Sequence, residues 1–177
     1  MRFVGIDPST KTGFVALDED GQVLRAKELT GIGHVDPLRM MTLIDEVIDH
    51  IKKDDFICIE GFGFASQQAI QLGGIGWGIR IALARRKMKW YEVAPGQLKK
   101  FGSGKGNTKK DDLAVEIYKR WQFQHSSDNV RDAYVLAKLA QAIWDFTETG
   151  NFNYPEFQLE VIKTILNPPK KRKKRGG

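Results

Sequence analysis

The chain has 177 residues, 41% of them hydrophobic, and a formal net charge of +6, enough apolar material for one domain with a sizeable core. A sole cysteine, Cys58, excludes an intramolecular disulfide and a thiolate metal cluster; no apolar run approaches the roughly 18 residues of a membrane span, and the N-terminal stretch is too interrupted for a signal peptide. Residues 170–175 hold six positive charges and the rest carries 22 basic against 22 acidic residues, so the basic balance says little about the folded body.

In chain order, Arg2-Phe3-Val4-Gly5-Ile6 is a β-favouring run that delivers Asp7. Pro8 to Gly13 makes a polar turn and Phe14 to Leu17 is a second such run, a pattern that predicts a β-hairpin. Asp7, where the first strand runs out, is either a turn-maker or one wall of a metal site. Asp20-Gly21 turns the chain into a third antiparallel strand over Gln22–Leu29, followed by a loop to Pro37. Leu38–Lys52 carries apolar residues at 38, 41, 44, 47, 48 and 51, the spacing of an amphipathic helix. Asp55–Glu60 is a short apolar strand that again ends on an acid. Within it Cys58, between Ile57 and Ile59, reads as a core residue in a chain suited to a reducing compartment.

Ser66–Arg86 predicts a second helix, interrupted by Gly73, Gly74, Gly76 and Gly78. Glycines there cost helix stability, so another helix, a partner subunit or a nucleic acid is expected to approach closely. Lys89–Val93 reads as a fifth strand, closed by Ala94-Pro95-Gly96, and Gln97–Phe101 as a short helix. Gly102–Asn107 reads as a mobile glycine-rich loop. Thr108 is a candidate cap for a helix from Lys109 to about Trp121. A last long helix is expected from Asp128 to about Thr147, and a small one over Phe157–Leu166. The whole is α/β: a mixed five-stranded sheet, three antiparallel strands then two parallel, flanked by helices. One domain spans 1–166, and 167–177 forms a basic tail whose composition predicts disorder.

Between Arg85 and Arg120 eleven Lys/Arg face four acids. Such a stripe either tracks a phosphate backbone or marks solvated helix faces. Asp128 and Asp132 stand four apart, one turn apart on the same side of a helix. The face of Asp132 continues through Leu136, Leu139 or Ala140, and Ile143, so this acid lies on or beside the buried stripe. A charge there costs several kcal/mol unless paired or metal-bound. Asp128, like Ser127, is also a plain N-cap candidate. Two strand-end acids plus a helix-borne pair suit a hard cation, which takes oxygen ligands and substrate phosphates. Two ions roughly 4 Å apart can serve both oxygens of an in-line phosphoryl displacement. The histidines, His34, His50 and His125, form no competing cluster. His125 lies near the carboxylate pair in sequence and reads as a surface-loop residue or a tuner of the site.

Gly5-Ile6-Asp7-Pro8-Ser9 with Thr12-Gly13, Ile59-Glu60 after a helix, Val93-Ala94-Pro95 with Lys99-Lys100, and Asp128 to Ala133 come in an order that resembles the RuvC-like Holliday junction resolvases. Over roughly residues 1–145 the likeness is strongest to phage-type members. It implies an RNase H-like fold with sheet order 3-2-1-4-5. It also implies that Asp7, Glu60, Asp128 and Asp132 bind two Mg²⁺ or Mn²⁺ ions, with Asp7 shared between them. In the bacterial enzymes the last two acids are three apart, whereas here they are four apart, which puts Asp128 in question. A wedge aromatic there follows the glutamate by three residues. Here Gly63 holds that place between Phe62 and Phe64, each of which is either a wedge at the crossover or core. Family lysines flank the scissile phosphate, and Lys99 or Lys100, Lys105, and Lys109 or Lys110 match them. Physically they would neutralise charge building on that phosphate.

The implied activity is structure-selective cleavage of four-way junctions by metal-dependent hydrolysis, with 5′-phosphate and 3′-hydroxyl ends and no covalent intermediate. A homodimer would place two sites in C2 relation, with helix 66–86 as candidate contact. No membrane partner is expected. Three rivals stand beside this: a broader branched-DNA or flap endonuclease, an actin-like ATPase, and a DNA-binding protein without catalysis. The ATPase needs two such domains and a second phosphate loop, and presence of all four acids weighs against lost catalysis. The tail from Pro168 reads as a DNA anchor, with a solubilising end or a nuclear localisation signal as alternatives. The expected location is cytoplasmic, in a bacterial host if the chain is phage-encoded, and nuclear only in a eukaryotic one.

Overall fold

A computed structural model describes residues 1–62 and 68–168. β1 (Arg2–Asp7), β2 (Thr12–Leu17) and β3 (Val23–Leu29) form an antiparallel meander, and β4 (Asp55–Glu60) and β5 (Trp90–Val93) extend it in parallel. The sheet order is β3-β2-β1-β4-β5. The helices are α1 (Leu38–Asp49), α2 (Ala69–Arg85), α3 (Pro95–Ser103), α4 (Lys110–Trp121), α5 (Asp128–Trp144) and α6 (Glu156–Leu166), with a π-helical turn at Asp145–Thr149 after α5. Among the described residues no helix is long and apolar enough to cross a membrane.

Two cores follow from the pleat, because alternate side chains leave opposite faces of a strand. Val4, Ile6, Phe14, Ala16, Ile57 and Ile59 meet Leu43, Val47, Ile75, Ile79 and Leu83 of α1 and α2. On the other face Phe3, Val15, Leu17 and Cys58 meet α5, with α3, α4 and α6 packed around it. α5 is buried nearly all round, as its run Ala133 to Ala137 with Leu139, Ala140 and Ile143 requires. Burial of its larger side chains contributes about 1.5–3 kcal/mol each. Two glycines let it lie directly on the sheet. A Cβ at Gly5 would come within 1.9 Å of the Ala133 carbonyl oxygen, and one at Gly13 within 1.9 Å of that of Asn129.

Several expectations need correction. α1 stops at Asp49, so Ile51 is buried from the loop that follows. α3 is longer than expected, because Pro95 fits its first turn and the Gln97 side chain accepts from the Ala94 N–H at 2.8 Å. Its last turn takes in Gly102 and Ser103, the first buried under Leu113, so the glycine-rich loop is shorter than predicted. What remains is laced by hydroxyls: Thr108 Oγ1 donates to Lys105 O at 2.8 Å and lies 2.6 Å from Ser103 Oγ. Thr108 therefore does not cap α4, whose N-cap is Lys109 without a side-chain bond. Gly74, Gly76 and Gly78 of α2 are met from within the chain, whereas Gly73 has open space beside it. A Cβ at Gly78 would strike Ile44 of α1 at 2.2 Å, and one at Gly76 the Phe62 ring at 2.7 Å. Ser66, the expected start of that helix, lies outside the described residues, as does the tail from 169 on.

Candidate active site

Asp7 shares the face of Phe3 and Gly5, and Glu60 that of Cys58, so both acids point from neighbouring parallel strands toward α5. They stand one step beyond the paired Ile6 and Ile59. On the other side Asp7 is paired with Gly13, the residue whose missing side chain admits Asn129. The close approach at Gly5 and Gly13 thus sets the first turns of α5, with Asp128 and Asp132, over the strand ends. Ser127 caps that helix through Oγ and the Val130 N–H. Asp128 follows in its first turn, where the helix dipole favours an anion.

The four carboxyls sense one another. Asp7 is only 5% exposed, and burial first, then the charge of Glu60, push its carboxyl well above the usual range. Burial also raises Glu60, helped by Asp132 and opposed by a hydrogen bond with Asp7 and by the charges of Lys99 and Lys110. Asp132 is pushed up to about 7, by burial and then by the charges of Asp7 and Asp128. Asp128 alone is lowered, because the Lys110 ammonium bonds it directly.

A buried group of like-charged oxygen donors suits a divalent cation, whose charge would offset the burial and the mutual repulsion that together raise three of the four. As it stands Asp7 and Glu60 are hydrogen-bonded to each other and Lys110 is paired with Asp128. Among the described residues, accordingly, no three His, Cys, Asp or Glu side chains are set around a common point for an ion. Binding one through Asp128 would require Lys110 to release it.

No family model matches the chain, and no curated protein matches it. Solved structures do. RuvC of Thermus thermophilus superposes with a TM-score of 0.62 at 18% identity, over 84% of this chain and 98% of that one. T. thermophilus RuvC in complex with Holliday junction substrate gives 0.61 at 18% identity, over 85% and 96%. The fold is that of RuvC.

Within this RuvC fold the lysines singled out in the sequence part company. Lys110 is in the cluster, and the charge of Lys99 reaches Glu60. Lys100 is instead paired with Glu160 at 2.7 Å, joining α3 to α6. Lys105 and Lys109 are exposed and in no ion pair among the described residues. Phe62 is half-buried: its ring lies 5.2 Å from that of Trp77 and 4.4 Å from the Arg80 guanidinium carbon. Gly63 and Phe64 fall outside the described residues. His125 accepts the Ser127 N–H through Nδ1 and faces a cleft beside the cluster.

Two supporting residues escaped the sequence reading. Arg80, 3% exposed, donates to both Glu92 oxygens at 2.7 and 2.6 Å, to Glu60 O at 2.8 Å and to Gly76 O at 2.9 Å. It ties the end of β4 to β5 and α2. Its signal was present in the spacing, since it shares a stripe with Gly76 and Leu83. Asn129 Nδ2 donates to Lys11 O at 2.7 Å and Ser9 Oγ at 3.1 Å, pinning the turn after Asp7 to α5.

Proposed function

We propose that the chain is a structure-selective endonuclease that resolves four-way (Holliday) DNA junctions by divalent-metal-dependent hydrolysis. The observation that carries this is the convergence of Asp7, Glu60, Asp128 and Asp132 at one end of a RuvC fold, with Lys110 among them. These four acids would hold two Mg²⁺ or Mn²⁺ ions. When bound, such ions lower the pKa of a water nucleophile and stabilise charge on the phosphate oxygens. Lys110, on leaving Asp128, has an ammonium free to donate to the scissile phosphate. Lys99 adds positive charge beside Glu60, and Lys105 and Lys109 offer exposed charge to the adjoining strand.

The reading includes a homodimer and phage-type kinship, the latter supported by motif order alone, and a cytoplasmic location. α2 exposes Ile70, Trp77 and Ile81 at spacings of seven and four, one apolar stripe. Beside it α1 exposes Leu38 and Met41. A patch of this kind on a soluble body suits a second copy, and C2 symmetry would present two sites to a symmetric junction. The test is a panel of four-way, three-way, flap and linear DNAs with Mg²⁺ or Mn²⁺. Paired cuts confined to the four-way junction are expected. Linear duplex cut as fast as the junction would refute resolvase selectivity, and cutting in the presence of EDTA would refute the metal site.

A further inference from the structure

Beside the acid cluster lies a cleft of about 600 Å³ between α4 and the segment leading into α5, lined by Val115, Tyr118, Phe123, Gln124, His125 and Arg131 among others. No acidic residue lines it. Its walls are prearranged. Phe123 is stacked on Tyr134, centroids 3.9 Å apart and planes within 2°. Arg131 Nη1 donates to His125 O at 2.7 Å and Ser126 O at 3.2 Å, which fixes the guanidinium and leaves further N–H groups to donate. His125 Nδ1 accepts from Ser127 N at 3.1 Å, so the neutral ring carries its proton on Nε2. Gln124 is exposed and its amide makes no hydrogen bond among the described residues.

We propose that this cleft takes one unstacked base of the DNA strand cut at the acid cluster. The proposal rests on the nuclease reading above. It has three supports. The first is continuity: Lys110, Ala114 and Tyr118 share one face of α4, so the face that starts at Asp128 ends in the cleft. Eight residues of helix rise about 12 Å, a few nucleotides at the ~3.4 Å spacing of a duplex strand. The second is charge: a wall that holds Arg131 and no carboxylate suits an anionic chain. The third is chemistry. Tyr118, 43% exposed, and Val115, 51% exposed, leave surface for stacking, and an amide, an imidazole and a guanidinium are the groups that read base edges.

The test uses four-way junctions carrying 2-aminopurine at successive positions around the cut, titrated with the full chain in EDTA so that binding is read without cleavage. A saturable fluorescence change at one position or two adjacent ones is expected, lost in Tyr118→Ala and in Gln124→Ala. Both residues are exposed, and circular dichroism of each variant confirms its fold. With metal added, Tyr118→Ala should compress the spread of cleavage rates among junctions varied at that position by roughly tenfold. Its metal requirement should stay that of the parent. A probe that responds nowhere, or responds equally in both variants, overturns the proposal. Probe response without cleavage under any metal overturns the nuclease reading and leaves the base cleft standing. A chain that binds none of the DNAs overturns both.

Discussion

Asp7 carries the heaviest electrostatic load in the site: it is buried, beside Glu60, and within reach of Asp128. Asparagine keeps its shape and removes its charge, so Asp7→Asn should lower junction cleavage by more than about 100-fold, the upper range for groups that merely support a metal ligand. Junction binding in a mobility-shift assay should be largely retained. Asp132 gives a second prediction. Its folded pKa of about 7 lies above the ordinary aspartate value of 3.8, so between those values the folded state holds more protons than the unfolded one. Its stabilising contribution is full below the lower value and is lost as pH rises through the upper one. Without divalent metal, Tm should therefore fall from pH 5 to 8. Asp132→Asn should flatten that slope, and Mg²⁺ at pH 8 should raise Tm of the parent by mass action. A metal-free Tm that rises over this range would contradict the burial described here. At this scale the sequence was legible where an acid ended an apolar strand, as at Asp7 and Glu60, or interrupted a helix stripe, as at Asp132. Arg80 was legible only as a position on the stripe of Gly76 and Leu83, because its burial depends on the gap at Gly76 and on Glu92 of β5, which only tertiary contact supplies.

Among elements, the contact of α5 with β1 and β2 is the most sensitive to substitution. Gly5→Ala places a methyl group against main-chain atoms that cannot turn aside, so α5 must lift. A loss of at least about 1–3 kcal/mol is expected, read as a lower urea midpoint, together with weaker metal dependence as Asp132 moves from Asp7. Gly73→Ala, where a Cβ meets nothing within 4 Å, is the control and should be neutral or slightly stabilising. Arg80→Met removes the tie between the end of β4 and β5. It should cost about 1–3 kcal/mol for groups left unpaired and reduce cleavage more than junction binding, because Glu60 follows the strand end. Apolar runs and periods, with the turn signals between them, located the five strands and the six α-helices but not the π-helical turn after α5. Their ends were less legible, because caps are settled by local competition: the hydroxyl of Thr108 had a choice between α4 and the Lys105 carbonyl and took the carbonyl.

For the molecule as a whole, the exposed apolar face of α2 bears on assembly. Trp77 is 59% exposed on α2 yet packed on Phe62, two residues after Glu60, so the apolar stripe reaches the segment that leaves β4. Ile81→Glu, at a position 49% exposed, should leave a folded monomer in sedimentation and turn paired cuts into single nicks. Unchanged sedimentation would remove this face from consideration. The mixed sheet was legible from a hairpin, a third strand and two helix crossovers, while its order, observed as β3-β2-β1-β4-β5, was only what the family resemblance implied. The partner of α2 was not legible, because a glycine-rich helix reads alike whether its neighbour is α1 or another chain. The seat of α5 on Gly5 and Gly13 also bears on how far such a chain can drift. There the acids of the sheet and the acids of the helix are spaced by peptide groups in contact, and peptide groups are common to every sequence. Side chains elsewhere in either core can be exchanged without altering that separation, provided the two glycines stay. A fold shared with T. thermophilus RuvC at only 18% identity is compatible with such a seat, because the ruler is written in backbone.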